Sequence, residues 1–577
     1  MKLPNKWGKG IIFAFSGFDG RTDWFRPFVA STDQQPGSFH FHIPGECKLY
    51  FSGRALKNRK TDIVASDVVI FSSPRISMTF LDCETIVGEC ESSVIPGIEG
   101  GPEVKQTREG CAVIQEHPEA STVLLTKQAS AGMTRFAFAF DGTGPDRAFQ
   151  KARRGLKSDI GSVIAERCGF YFRVVAPRFH GAISERTYYK AISVMKVNVE
   201  SSCGKIESTW TTPDRYPHRD MWFWDSAFHS FGNRFISPAL AEATIWAVLQ
   251  LTRDDGFISI SMNPEKGRVE EQITQPPLMA WASWDLYRYT GDKDFLKRVY
   301  PKIASHLLWV YANRDKDGDG LLEWTIGENP ICKCGESGMD NSPRFDTCDA
   351  GEPVAAIDYN CFAINEIEHL GLIADAIGDN EGNNRWKKLR AEKVELVNRL
   401  LWDPNHKFYF DRKKDGSFIR VMTPASLLPM FAGVASKERA RYLMRRIRST
   451  KKFATRFPVP SVARDEKTFS RDMWRGSTWI NYNYLVICGL RRYGYFHRAR
   501  TIAAATCREI ERWYRKEGAI FEFYDTDGKI PPGNLPRKDW LGTPGWTRVI
   551  TDYHWSAAIY VALMNDKLRY KKGYKNV

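Results

Sequence analysis

The chain has 577 residues, 43% of them hydrophobic and 26% charged, enough apolar material for a full core and too much for a disordered tail. Its formal net charge is +15, from 83 basic and 68 acidic residues, but the basic residues are dispersed, so the expectation is an ordinary basic surface and no nucleic-acid partner. No stretch approaches the ~18 apolar residues of a membrane-spanning helix, so no membrane partner is expected either.

Aromatic residues make up 13%, with 18 Trp, which leans toward ligands with flat apolar faces such as sugars or bases. The twelve Cys are scattered and many sit among apolar residues, as expected of reduced thiols. The opening stretch MKLPNKWGKGIIFAFSGFDG has only a short apolar run with Gly and Asp close behind, so a cytoplasmic location is expected.

The first part of the chain has a period of two. Phe39, Phe41 and Ile43 alternate with polar residues, and so do Phe136, Phe138 and Phe140. Gly and Pro separate the runs between them. Residues 1–145 therefore read as an antiparallel β-sandwich. The segment DRAFQKARRGLKSDIGSVIAERCG reads as helical, giving a linker over 146–182. From 183 to 577 the apolar spacing is three and four, as at Ile364, Ile367, Leu370, Ile373 and Ile377. About a dozen helices without a 34- or 40-residue repeat suggest a bundle or ring of helical hairpins rather than a solenoid. Pro301 is expected to kink or divide the helix around it.

Between these helices lie four clusters that join aromatic faces to hydrogen-bonding groups: RYPHRDMWFWDSAFH, TQPPLMAWASW, GESGMDNSPRFD, and RDMWRGSTWINYNYL with the later IFEFYD. Sugars need this mixture, because C–H faces stack on rings while hydroxyls seek charged or amide partners. Cleaving a glycoside usually takes two carboxyl groups, one giving a proton to the leaving oxygen and one assisting water. Asp340 and Glu522 are the candidate pair. Taken alone, Asp340 also fits a turn-forming Asp, and Glu522 an exposed residue on a short strand.

Two further segments carry metal-like patterns. Cys332, Cys334 and Cys348 cluster near Asp340, but the CxC spacing without a nearby His favours ordinary thiols over zinc. Asp315, Asp317 and Asp319 precede Gly320 like the start of a calcium loop, yet the twelfth position is Ile326 where a Glu is wanted. A plain Asp-rich turn is the favoured reading there, with calcium as the alternative, and no other cofactor or metal is expected.

Five segments, WDSAFH, TQPPLMAWA, ESGMDNSPRFD, PVPSVARDEKTF and MWRGSTWINYNYL, occur in an order that resembles glycoside hydrolase family 63 and its mannosylglycerate-hydrolase-like relatives, over roughly residues 183–566. The resemblance implies an (α/α)6 barrel after the β-sandwich and hydrolysis with inversion. It implies Asp340 as general acid and Glu522, in the looser FEFYD, as general base. It also implies that Trp224 and Asp225 line a sugar subsite, with Gln275, Trp474, Arg475 and Trp479 on the same wall. Ser477 stands where the family's WRGP motif has Pro.

The substrate this implies is an α-glucoside or α-mannoside, including glucosyl- or mannosylglycerate types and short α-oligosaccharides. The alternatives are a trehalase-like or other helical-barrel glycosidase, or a carbohydrate-binding protein without catalysis. Glu336 and Asp346 are near enough in sequence to supply negative field to Asp340, and Arg344 is expected to pair with another acid, such as Asp346, rather than with Asp340.

Overall fold

The computed structural model describes residues 1–42, 47–53, 60–99, 104–107, 110–117, 120–130, 132–539 and 548–566; Ile43 of the alternating pattern lies outside them. The first strands are β1 (Ile12–Ala14), β2 (Val29–Thr32), β3 (Ser38–Phe41), β4 (Cys47–Ser52), β5 (Lys60–Val64), β6 (Val68–Ser73) and β7 (Arg75–Asp82). They continue with β8 (Thr85–Glu91), β9 (Ile95–Glu99), β10 (Val104–Thr107), β11 (Gly110–His117), β12 (Ala120–Ser130) and β13 (Met133–Asp141). They form a five-stranded sheet, β1-β2-β3-β4-β9, and an eight-stranded sheet, β10-β11-β12-β13-β8-β7-β6-β5. The period-two pattern decides which side chains meet. Phe136, Phe138 and Phe140 point between the sheets and join Phe13, Phe28, Phe41 and Phe80 in one aromatic core.

The alternate residues of β13, Ala137 and Ala139, face the other way. There they meet Ala148, Ala152 and Leu156 of α1 (Pro145–Leu156), and Ile160 at the start of α2 (Ile160–Phe172) joins the same cluster. The helical segment after the strands therefore covers the outer face of the larger sheet rather than merely connecting two units.

Twelve helices follow among the described residues: α3 (Ala182–Val197), α4 (Phe223–Asn233), α5 (Pro238–Leu249), α6 (Met279–Thr290), α7 (Lys293–Arg314), α8 (Ile357–Ile377), α9 (Asn380–Leu400), α10 (Leu428–Phe431), α11 (Lys437–Arg448), α12 (Ile480–Arg492), α13 (Phe496–Glu517) and α14 (His554–Asn565). Helices α4, α6, α8, α10, α12 and α14 touch one another in that order, and α14 packs back on α4, which closes an inner ring. The helices between them lie outside. This is an (α/α)6 barrel. Inner helices are buried nearly all round, as α4 is at every residue, whereas the outer α11 buries only Ala440, Leu443, Met444 and Ile447. Helix α7 runs unbroken through Pro301, contrary to the expected division.

Barrel and sandwich are joined by buried charge. Asp552, just before α14, pairs with Lys190 of α3 at 2.7 Å and accepts the backbone N–H of Ile12 on β1 at 3.0 Å. Asp67, beside β6, pairs with Lys196 of α3 at 2.5 Å and accepts the Tyr171 hydroxyl of α2 at 3.0 Å.

The inner ring has its own polar clasp. Glu366 of α8 accepts the N–H groups of Ala280 at 2.7 Å and Trp281 at 3.1 Å, in the first turn of α6 where such groups have no partner within the helix. Burial nevertheless outweighs these bonds and pushes the Glu366 carboxyl up to about 7. Its folded value thus lies above the unfolded value of ~4.3, so its contribution to stability is complete below that pH and is lost as pH rises through about 7. Glu366→Gln, which cannot ionise, should therefore lose ground to the wild type at pH 5 and recover it by pH 8. The swing should be about 2–4 kcal/mol, read from melting curves across pH. A wild-type-to-variant gap that stays constant with pH would count against this.

Candidate active site

The GESGMDNSPRFD segment has little regular structure, only two short 3-10 turns at Gly335–Ser337 and Pro343–Phe345. It is fixed instead by polar side chains, of which Glu336, Asn341 and Arg344 are buried and Asp346 is half-buried. Glu336 accepts from Arg314 of α7 at 2.7 Å, from Thr274 N–H at 3.1 Å and from Thr325 N–H at 2.7 Å. Asn341 accepts the N–H of Trp474 at 3.0 Å. Arg344 is fully buried and reaches Asp358 at 2.6 Å and Asp411 at 3.2 Å. Asp346 takes both arms of Arg475, at 2.9 and 2.7 Å.

This bears out one expectation and corrects two. Arg344 does pair with other acids than Asp340, and these are Asp358 and Asp411. Neither Glu336 nor Asp346 supplies uncompensated negative field, since each is held by an arginine. Arg475 does not line the pocket; its guanidinium lies behind the wall on Asp346 and on the Asn341 carbonyl.

With its neighbours anchored, Asp340 faces a pocket at one mouth of the barrel. The lining comprises His218, Trp222, Trp224, Asp225, Gln275, Gly338, Asp340, Met473, Trp474, Trp479, Glu522, Arg537, Tyr553 and Trp555. It holds about 420 Å³ of space, part of it open to solvent. Of the eight residues singled out in the sequence, seven are on this wall. Both candidate carboxylates meet there although they come from distant segments. Glu522 is buried beside the Ile550 backbone, with which its N–H bonds at 2.9 Å.

The two carboxylates are each met by a cation, and the two cations are consecutive residues. Arg537 reaches Glu522 at 3.0 Å, and Lys538 reaches Asp340 at 2.8 Å. Of the two acids Asp340 is the more open, with 23% of its side chain exposed against 3% for Glu522. Nothing in PRKDW signals this role in the sequence. Only the tertiary fold brings Arg537 and Lys538 to the two carboxylates.

The aromatic wall is stacked in layers. Trp474 and Trp479 lie parallel with centroids 3.7 Å apart, and Trp555 meets Trp224 edge-on at 5.4 Å. The indole N–H groups of Trp222 and Trp555 are buried without a partner, an arrangement that leaves two donors for a ligand hydroxyl. Trp224 and Asp225 belong to the first turn of α4, not to a loop as their motif suggested, and Gln275 accepts the Trp224 N–H at 3.1 Å.

Asp225 is the carboxyl on this wall that burial pushes well above its usual range, and Asp214 and Glu522 add repulsion; the Tyr553 hydroxyl donates to it at 3.3 Å. His218, Trp222, Met473, Gly338, Arg537, Lys538, Tyr553 and Trp555 were not singled out in the sequence. DYHWS carried a usable signal, a Tyr and a Trp ahead of an apolar helix, but no spacing tied it to the other motifs.

The cysteines near this loop are neutral thiols. Burial pushes Cys332 and Cys348 up to about 12, and none of the twelve cysteines is in a disulfide. Among the described residues no three His, Cys, Asp or Glu side chains that include one of these thiols converge as a metal site.

A family model described as the mannosylglycerate hydrolase MGH1-like glycoside hydrolase domain matches residues 216–556, more than half of the chain. The chain is similar to mannosylglycerate hydrolase MGH1 of Selaginella moellendorffii, with 27% identity over 414 residues, 58% of this chain and 82% of that protein. In structure it is similar to the GH63 mannosylglycerate hydrolase of Thermus thermophilus solved with glucose. The TM-score is 0.54 at 23% identity, over 65% of this chain and 99% of that one. It is also similar to a bacterial glucoamylase solved with acarbose, with a TM-score of 0.62 at 12% identity, over 99% and 96% of the two chains. The second likeness extends the shared fold to the sandwich.

Gly338 is where the loop and the wall touch. Its φ is +70°, and a Cβ there would fall 2.2 Å from the Trp224 ring. Gly338→Ala should cost about 1–3 kcal/mol of stability by overpacking, and should reduce activity more than that loss explains because Trp224 must move. Melting curves set beside kcat/KM test this; unchanged activity would show that the contact is slack.

Proposed function

Because the chain belongs to the mannosylglycerate hydrolase MGH1-like glycoside hydrolase family, we propose that it cleaves an α-glucoside or α-mannoside with an anionic aglycone of the glycerate type. Asp340 acts as general acid and Glu522 as general base, with inversion. The observation that carries this reading is that both carboxylates line one tryptophan-walled pocket.

The steps follow from the placement of charge. Asp340 gives its proton to the glycosidic oxygen as that bond breaks. Glu522 takes a proton from a water that attacks the anomeric carbon on the opposite face, and the product has the inverted configuration. Trp224, Trp474 and Trp479 form the apolar wall, and Asp225, Gln275 and the two free indole N–H groups serve the hydroxyls.

The anionic aglycone is supported by Arg537 and Lys538. Lys538 holds the Asp340 carboxylate at 2.8 Å, so it has to leave before that oxygen can reach the glycosidic oxygen. The carboxylate of a glycerate-type substrate is the anion it moves to, and the similarity to mannosylglycerate hydrolases fits this exchange. A cytoplasmic location belongs to the same proposal; twelve cysteines held as thiols rather than disulfides support it. No helix among the described residues is long and apolar enough to cross a membrane.

The decisive experiment is hydrolysis of a panel containing mannosylglycerate, glucosylglycerate, neutral α-glucosides and α-mannosides, and trehalose, with NMR of the first anomer released. We expect turnover of a glycerate conjugate with inversion, and a loss of about 10²–10⁴-fold in kcat for Asp340→Asn and for Glu522→Gln. Retention of configuration would overturn the assignment. Binding without turnover by the wild type would favour a carbohydrate-binding protein, and turnover of trehalose alone a trehalase-like enzyme.

Lys538→Met tests the aglycone separately. The variant should raise KM about 10- to 100-fold for the charged conjugates and leave KM for a neutral aryl glycoside nearly unchanged. An equal effect on both classes would remove Lys538 from aglycone recognition.

A further inference from the structure

The turn that leaves α7 gathers four carboxylates that the pocket does not use. Asp315, Asp317, Asp319 and Glu323 each present an oxygen, and these oxygens all lie within 4.8 Å of one another. They occupy the first, third, fifth and ninth positions of a loop whose sixth is Gly320. Calcium loops of the helix–loop–helix kind place ligands at those positions and a glycine at the sixth, for the sharp turn. Gly320 has φ +87°, as that turn requires. The backbone is already wound in this manner: Asp315 accepts the Gly320 N–H at 3.1 Å, Asp317 that of Asp319 at 3.2 Å, and Asp319 that of Leu321 at 2.8 Å.

Glu323 supplies the independent observation. It is 1% exposed, yet its Oε1 has no hydrogen-bond donor, while Oε2 accepts only the Lys316 N–H at 2.6 Å. An orphaned buried carboxylate oxygen beside three aspartates is costly unless a cation meets it. The neighbouring cations are engaged elsewhere. Arg314 is bound to Glu336, and Lys393 donates to the Gly320 carbonyl at 3.0 Å. Glu323 also takes over a role that Ile326 at the twelfth position cannot fill. The ligating glutamate comes from the ninth position, on the backbone bridge between Glu323 and Ala355.

We propose that Asp315, Asp317, Asp319 and Glu323 form a calcium site, with a backbone carbonyl at the seventh position, Leu321, as a further oxygen. An all-oxygen set of four acidic residues on a short loop suits Ca2+, which takes six to eight oxygens in loose geometry, better than Mg2+, which demands a strict octahedron. The site has a structural consequence. The residue before it, Arg314, and the residue two after it, Thr325, both bond to Glu336 of the Asp340 loop. A cation that closes the turn therefore fixes both sides of the clamp on that loop.

The test uses the full-length protein, stripped with a chelator and dialysed, with calcium chloride and magnesium chloride as probes. Calorimetric titration should show one calcium bound per chain, and the melting temperature should rise by at least about 2 °C in calcium and not in magnesium. Both effects should vanish in Glu323→Gln. Should that buried variant fail to fold, Asp319→Asn decides, since Asp319 is exposed and the amide keeps the acceptor for Leu321 N–H while losing the charge. Its calcium affinity should fall about tenfold or more. The proposal is overturned by no heat and no shift at about 10 mM calcium, above the weakest known loops of this kind. Equal shifts in the two metals, or a wild-type calcium response in Asp319→Asn, overturn it as well.

Discussion

A loop without a backbone ladder can hold one geometry only if its polar groups are satisfied from elsewhere, and the Asp340 loop is built on that constraint. Glu336, Asn341, Arg344 and Asp346 are consumed in buried contacts with Arg314, Trp474, Asp358 with Asp411, and Arg475. Each contact ties the loop to a different part of the barrel. A buried arginine left without its acids, or the acids without their arginine, costs about 3–5 kcal/mol, so such a network fixes position more than it adds net stability. What remains after these bonds are made is Asp340, the acid of the loop whose partner is a long-chained lysine across the pocket.

The electrostatics of the pocket follow from the same economy of partners. Glu522 and Asp340 each have a counter-charge, whereas Asp225 is met by the Tyr553 hydroxyl and burial pushes its carboxyl well above the usual range. Arg537 and Lys538 are then not general positive surface but the direct partners of Glu522 and Asp340. A substrate that enters must compete for them. This makes an anionic aglycone a chemical fit, and it explains why a protein of net charge +15 has its functional cations on one short loop rather than in its most basic helix. That helix, α11, turns its arginines outward and buries only its apolar face.

The β-sandwich contributes rigidity at the barrel's closure. Asp552 precedes α14, the helix that completes the ring, and is bound by Lys190 and by the backbone of β1. Tyr553 and Trp555 of the pocket follow directly after this point. The sandwich thereby sets the position of the last wall of the site without contributing a side chain to its lining.

The sequence by itself determined the layers of the fold. Period two in the phenylalanines of β13 and spacings of three and four in α8 follow from backbone geometry, which local residues impose. It also determined most of the wall, because Trp224, Gln275, Trp474 and Trp479 lie in ordered motifs with a family resemblance. Only the tertiary structure decided which charges meet. Arg344 bonds to Asp358 and Asp411 and not to Asp346, Arg475 turns behind the wall, and Lys538 crosses to Asp340. Such pairings depend on which helix ends the ring closure brings together, and no local periodicity encodes them. The same holds for Glu323, whose place in the Asp315 turn shows only when its buried, unpartnered oxygen is seen beside the three aspartates.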